Sequence, residues 1–168
     1  AKQHGKLYRG TFKGSNGRVL IIGGSKNFVG CLAIAARAAL STGIDIVKIA
    51  AQEKIAWTLN TIDPSFITIK LQGRKQQILK ALNEELQTAD SLLIGTGWVL
   101  NNENKNLLKQ LIEQSLSQDK KLVLDAGAVR LLGSKGLAKL VKRLKPENCV
   151  VTPHASEFES FANIELPR

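Results

Sequence analysis

Four short stretches hold most of the side chains and glycines that could do chemistry: GGSKNFVG (Gly23–Gly30), GTGW (Gly95–Trp98), DAGA (Asp125–Ala128) and TPHASE (Thr152–Glu157). In the first, Gly24, Ser25 and Gly30 punctuate the passage from an apolar run into an alanine-rich one. Such a turn either seats a ligand at a helix start, where free amides favour anions, or simply supplies the positive φ of a tight turn. It is not Gly-x-x-x-x-Gly-Lys-Ser/Thr, because Lys26 precedes the last glycine. Nor is it Gly-x-Gly-x-x-Gly with an acidic residue after the next strand, which argues against a dinucleotide held in the Rossmann manner. Asp125 ends a buried-looking run, where a carboxylate is costly unless bonded, so it is a candidate site residue. His154 stands between an apolar run and a predicted helix, facing a crevice or bonded to backbone as a surface imidazole. Ser156 and Glu159 fit a capping box that would start this helix just after Ser156. Glu157 then either lines the site or complements the helix dipole. Trp98 either walls a pocket or caps the core. Cys31 and Cys149 lie far apart and match no metal spacing, so no metal ligand set is expected.

These residues need elements to hold them. Short β-branched runs fall at 19–22, 44–50, 66–71, 91–94, 121–124 and 149–151. Helical patterns occupy 31–41, 75–86, 104–117, 128–132 and 137–144, with Gly43 closing the first. Strands separated by helices of this length indicate βαβ units, and continuously apolar strands such as VLIIG and LVLD indicate burial on both faces. The expected fold is therefore α/β, a mostly parallel, doubly wound sheet with helices on both faces, as one domain over 1–168 after an irregular lead-in over 1–17. In such sheets ligands sit beyond the carboxyl ends of the strands, and the four stretches follow the first, fourth, fifth and sixth runs. The ends at 50–52 and 71–73 carry little by comparison.

Composition narrows the class. The 168 residues are 43% hydrophobic and 23% charged, an ordinary globular balance. No apolar run reaches the roughly 18–20 residues of a membrane span, and no signal-peptide pattern opens the chain, so no membrane partner and a cytoplasmic, reducing setting are expected. The net charge of +10 raises the question of nucleic acid. The densest lysine cluster, however, backs an apolar stripe of Leu137, Leu140, Val141 and Leu144, with Lys135, Lys139, Lys142 and Arg143 on the wet side. At 5% aromatic residues, a stacking platform is lacking as well, so nucleic acid is disfavoured.

Read in order, FKGSNGRVLIIGGSKNFVGCLAIAARAALSTGIDIV, LLIGTGW, LVLDAGAVRLL and VVTPHASEFESF resemble successive motifs of the ADP-dependent NAD(P)H-hydrate dehydratases, in the ribokinase-like superfamily. The resemblance covers nearly the whole chain. It implies a lyase that repairs hydrated NADH or NADPH at the expense of ADP or ATP, with Mg2+ accompanying the nucleotide. Carried over motif by motif, Cys31, Gly97 and His154 are the implied substrate-binding residues. Gly24, Ser25, Gly30, Asp125 and Glu157 are expected to line the same site.

Departures qualify the match. Phe12 stands where the family has histidine, Cys31 where it has alanine, and Thr96 where it has proline. Gly127 replaces a second aspartate, and Ala155-Ser156 replace Pro-Gly. The Gly-x-Gly-Asp turn that supplies the family's anion hole and catalytic base does not occur in this sequence, so the catalytic residue is unassigned. The expectation is a ribokinase-like fold cut before its C-terminal nucleotide and anion-hole segment, needing that segment or a complementary chain for turnover, and prone to homo-oligomerise. A ribokinase-like kinase of small alcohols and a non-catalytic nucleotide- or RNA-binding relative are the alternative functions.

Overall fold

The computed structural model describes residues 14–134, 137–162 and 164. Phe12 and Lys135, named above, lie outside them. Six apolar runs pair side by side: β1 (Arg18–Ile22), β2 (Ile46–Gln52), β3 (Ile67–Leu71), β4 (Ser91–Ile94), β5 (Lys121–Leu124) and β6 (Cys149–Val151). Their order in the sheet is β3-β2-β1-β4-β5-β6, and every pairing is parallel. The order reverses between β1 and β4, where Val19 lies opposite Ser91 and Ile22 opposite Ile94. A reversal of this kind parts the connecting helices to opposite faces and opens a crevice at the carboxyl ends of the two strands.

Both faces are covered, which is why both sets of alternate residues in β1, β4 and β5 are mostly apolar. One face packs α1 (Gly30–Ser41) and α2 (Glu53–Ile62) on Ile21, Val47, Ile49 and Ala51. Ala33 and Ala36 of α1 are buried there, and their small side chains let the helix lie close to the sheet. The other face packs α3 (Lys75–Thr88), α4 (Asn102–Ser117), α5 (Gly127–Leu132) and α6 (Ala138–Val141) on Leu20, Ile22, Leu92, Ile94, Leu122 and Leu124. A last helix, α7 (Ala155–Ala162), follows β6 and contributes Phe161 to the same core.

Two local expectations need correction. The reading by periodicity placed no helix between β2 and β3, yet Glu53–Ile62 is helical and buries Ile55, Ala56 and Leu59. It follows Gln52 without an intervening turn, so no glycine or proline marks the change of period. The basic segment 137–144 is not one helix: only Ala138–Val141 is helical, although Leu137 and Leu140 are buried and Lys139, Lys142 and Arg143 exposed as the stripe required. At the end of the lead-in, Gly14–Gly17 forms a turn. The Asp45 carboxylate accepts from the Gly14 and Asn16 amides at 2.9 and 3.0 Å and from the Asn16 side chain at 3.0 Å. Those bonds hold the Asp45 carboxyl below its ordinary range.

Candidate functional site

All four chemistry-bearing stretches emerge at the carboxyl edge of the sheet, because all six strands run the same way. At the reversal the β1 and β4 loops are laced together. The Gly24 amide donates to the Thr96 carbonyl at 2.8 Å, and the Gly95 amide to the Ile22 carbonyl at 3.0 Å. Gly23 is needed for this approach: a Cβ there would lie 2.3 Å from the Thr96 oxygen. Beyond it, Ser25 and Phe28 exchange both backbone hydrogen bonds, so the loop closes on itself as a small turn. The amides of Gly23, Gly24, Ser25 and Phe28 are therefore all committed within the protein. That part of the loop is a wall, and the start of α1 at Gly30 and Cys31 is one place left to offer amide donors to a ligand.

Cys31 and Gly97 are neighbours. A Cβ on Gly97, whose φ is +74°, would lie 2.6 Å from Cys31 Sγ and 3.0 Å from the Phe28 carbonyl. The Cys31 thiol donates to that carbonyl at 3.3 Å, and burial pushes its pKa up, so it stays a neutral, packed group. On the far side of the β4 loop, Asp125 answers the question of how its carboxylate is tolerated. Its Oδ2 accepts from the Thr96 hydroxyl at 2.9 Å and its Oδ1 from the Thr152 hydroxyl at 2.7 Å. It thus ties the ends of β4, β5 and β6 together. The turn that follows holds Ala126 at φ +45°, a conformation favourable only to glycine.

His154 stands at the end of β6, two strands from Gly97, with its ring largely exposed. The helix after it begins at Ala155, not after Ser156, and the capping partners differ from those expected. Glu157, only 7% exposed, reaches back so that its Oε2 accepts from the His154 amide at 3.2 Å. Its Oε1 meets His154 Nε2 at 3.3 Å. Ser156 turns its hydroxyl to His154 Nδ1 at 3.1 Å. With Nε2 donating to the carboxylate, a neutral imidazole accepts from Ser156 at Nδ1. His154 is thus the helix cap and Glu157 its partner.

A hollow of about 390 Å³ opens beside this rim on the α3–α4 face. Gly23, Gly24 and Ser25 form one wall, and Ala50, Gln52, Leu71 and Gly73, from strand ends that looked uninformative in sequence, form another. Trp98, Asn101, Asn104 and Gln110 close it from the α4 side. Trp98 does both things its sequence context allowed, since it packs on the core and lines the cleft. Of the expected residues only Gly24 and Ser25 line this cleft; Gly30, Cys31, Gly97, Asp125, His154 and Glu157 stand along the rim outside it. Among the described residues no group of three His, Cys, Asp or Glu side chains could hold a metal ion, and no helix is long and apolar enough to cross a membrane.

Comparison with known proteins bears on this geometry. A family model described as NAD(P)H-hydrate dehydratase matches residues 19–166. The bifunctional NAD(P)H-hydrate repair enzyme Nnr of Hyperthermus butylicus is 37% identical over 150 residues, covering 88% of this chain and 27% of that protein. The ADP-dependent (S)-NAD(P)H-hydrate dehydratase of Nitrosopumilus maritimus is 33% identical over 153 residues, covering 88% and 49%. This chain therefore spans half or less of the length of these relatives. Among solved structures, a ribokinase-like superfamily protein from Enterococcus faecalis superposes with a TM-score of 0.76 at 23% identity, over 93% of this chain and 51% of that one. The ADP/ATP-dependent NAD(P)H-hydrate dehydratase of Bacillus subtilis, co-crystallised with ATP/Mg2+, gives 0.67 at 20% identity, over 94% and 51%. At such identities the likeness is one of fold, and that fold is ribokinase-like.

Proposed function

The chain belongs to the NAD(P)H-hydrate dehydratase family, and from that premise we propose that it forms the substrate side of a site that returns hydrated NADH or NADPH to the intact cofactor at the expense of ADP or ATP. The observation that carries the reading is the lacing of the β1 and β4 loops at the sheet reversal, which sets Cys31 against Gly97 beside a cleft of about 390 Å³. In this reading Gly97 keeps the rim low enough for a ligand to pass over it, and any side chain there would occupy that path. Cys31, at the start of α1, offers its backbone amide while its half-buried thiol packs against Phe28. His154 contributes a ring edge held by Glu157 and Ser156, and so meets the ligand in a fixed orientation. Asp125 is spent on Thr96 and Thr152 and acts by holding the loops rather than by touching the reacting atoms.

When bound, the adenine nucleotide would supply a phosphoryl group that turns the ring hydroxyl into a leaving group. Its Mg2+ would take most of its ligands from the phosphates and water. The proposal gives the nucleotide, its ion and the proton-accepting base to the part of the fold that the relatives have and this chain does not span. The test is calorimetric titration of the 168-residue chain with NADPH hydrate, then recovery of absorbance at 340 nm with ADP or ATP and Mg2+ once the C-terminal portion of a relative is supplied. Saturable binding and turnover dependent on both pieces are expected. A chain that binds neither hydrated dinucleotide would overturn the reading.

A further inference from the structure

Resting on that reading, we infer that Phe28 is a further binding residue of the site, its exposed phenyl ring the platform on which one ring of the dinucleotide lies. Phe28 is 58% exposed, although it belongs to the most tightly bonded part of the rim. Its amide donates to the Ser25 carbonyl at 3.0 Å, and its carbonyl accepts from the Ser25 amide at 3.3 Å. The same carbonyl accepts from the Cys31 thiol at 3.3 Å. The backbone that carries the ring is thus fixed. The side chain also begins beside Gly97, where an added Cβ would lie 3.1 Å from Phe28 Cβ. A phenyl ring starts one bond beyond Cβ, so it flanks Gly97 in whichever rotamer it adopts.

A single exposed apolar side chain is ordinary, whereas grouped ones mark a contact surface. The β4 loop laced to this turn exposes two more, Val99 at 48% and Leu100 at 49%, shortly after Gly97 in the chain. Both loops of the sheet reversal therefore turn apolar surface to solvent near the point where the ligand is taken to cross the rim. A phenyl group has no hydrogen-bonding atom. It offers area and a π face, which suit the face of another ring rather than its polar edge. A ring held in this way keeps its edge, and any hydroxyl on it, free for the other residues of the site. Adenine and the nicotinamide-derived ring share this chemistry, and the experiment separates them.

The measurement titrates the whole chain with NADPH hydrate and, separately, with NADP+, by calorimetry and by proton NMR of the ligand. Stacking on Phe28 should move the protons of one ligand ring upfield at saturation, and the ring whose protons move is the one on the platform. Phe28→Leu, which keeps an apolar side chain without the π face, should abolish that displacement and weaken binding about tenfold. Phe28→Tyr should keep both. Tm should stay near that of wild type in each variant, because the side chain is exposed and the bonds of the turn are backbone ones. Binding with the ligand ring protons unmoved would overturn this inference, as would an affinity indifferent to Phe28→Leu, and either leaves the repair reading standing. Binding of NADP+ with the Phe28 dependence, but of no NADPH hydrate, would uphold the platform and sink the repair reading. Binding of neither would overturn both.

Discussion

At the scale of single residues, the rim depends on closeness more than on charge. Gly97 has a positive φ and touches both Cys31 and the Phe28 carbonyl through the space a side chain would need. From sequence, Gly97→Val would be expected to block a pocket more than it destabilises. The contacts add a second effect, since the backbone conformation is strained for any L residue and the neighbour at 3.0 Å is backbone that cannot swing aside. Thermal unfolding should therefore show a loss of about 1–3 kcal/mol alongside loss of dinucleotide binding. Gly97→Ala should show a smaller share of both. Cysteines give a different residue-scale expectation. Burial pushes the Cys149 thiol up to about 11 from an ordinary value of 9.0. A thiol that is harder to ionise in the folded than in the unfolded chain costs nothing below the unfolded value. As pH rises between about 9 and 11 the unfolded chain sheds its proton first, and stability falls. The difference in denaturation midpoint between wild type and Cys149→Ala should thus be flat up to pH 9 and shift against wild type above it. A pH-independent difference would show that the thiol ionises freely in the fold.

At the scale of elements, legibility followed the sharpness of the boundary. The six strands and the long helices were readable because apolar runs alternate with amphipathic ones, and Gly43 marks one such change; the Asn101 cap, which the pattern starting at 104 did not use, emerges from the structure. Gly43 takes φ +91° after α1, and Asn101 Oδ1 accepts from the Asn104 amide at 2.7 Å to start α4. The α2 helix was not readable, because the strand IVKIAAQ runs into EKIAWTLNTI with no breaking residue and Trp57 lies on its exposed side. Trp57 is not idle there: the Lys70 ammonium sits 4.2 Å from its ring centroid. The start of α7 was misplaced by the same kind of ambiguity, since Ser156–Glu159 and His154–Glu157 both have the spacing of a cap and its partner. Glu157 won because its carboxylate reaches both the His154 amide and the ring. Glu157→Ala should cost about 1–2 kcal/mol in urea denaturation, the range for a lost helix cap. Glu157→Gln, which keeps an acceptor for the amide, should cost less. Proton NMR of the His154 ring should show it released in both, and an unchanged ring environment would mean that Glu157 serves the helix alone.

At the scale of the whole molecule, the site is a consequence of strand order, which local sequence does not state. The stretches after β1, β4, β5 and β6 were identifiable as candidates one by one, but the cleft also needed the ends of β2 and β3, whose residues look ordinary. Ala50, Gln52, Leu71 and Gly73 gain their position only because β1 lies between β2 and β4. The two halves of the sheet, β3-β2-β1 and β4-β5-β6, meet at that one pairing, and Asp125 binds the outer three strand ends into a unit through Thr96 and Thr152. Removing the carboxylate leaves two hydroxyls without this acceptor, at about 1–3 kcal/mol in all, because Thr152 can turn to the Leu124 carbonyl nearby. The consequence should also be directional. Asp125→Ala should speed amide exchange at Gly97–Trp98 and around Thr152 together, and at Gly24 through its bond to the Thr96 carbonyl, while the amides of β2 and β3 keep their protection. Because Thr96 is shared between the network and the rim, dinucleotide affinity should fall in the same variant although Asp125 itself stands outside the cleft. If exchange rises only next to residue 125, the strand ends are independent, and the rim is held by backbone bonds alone.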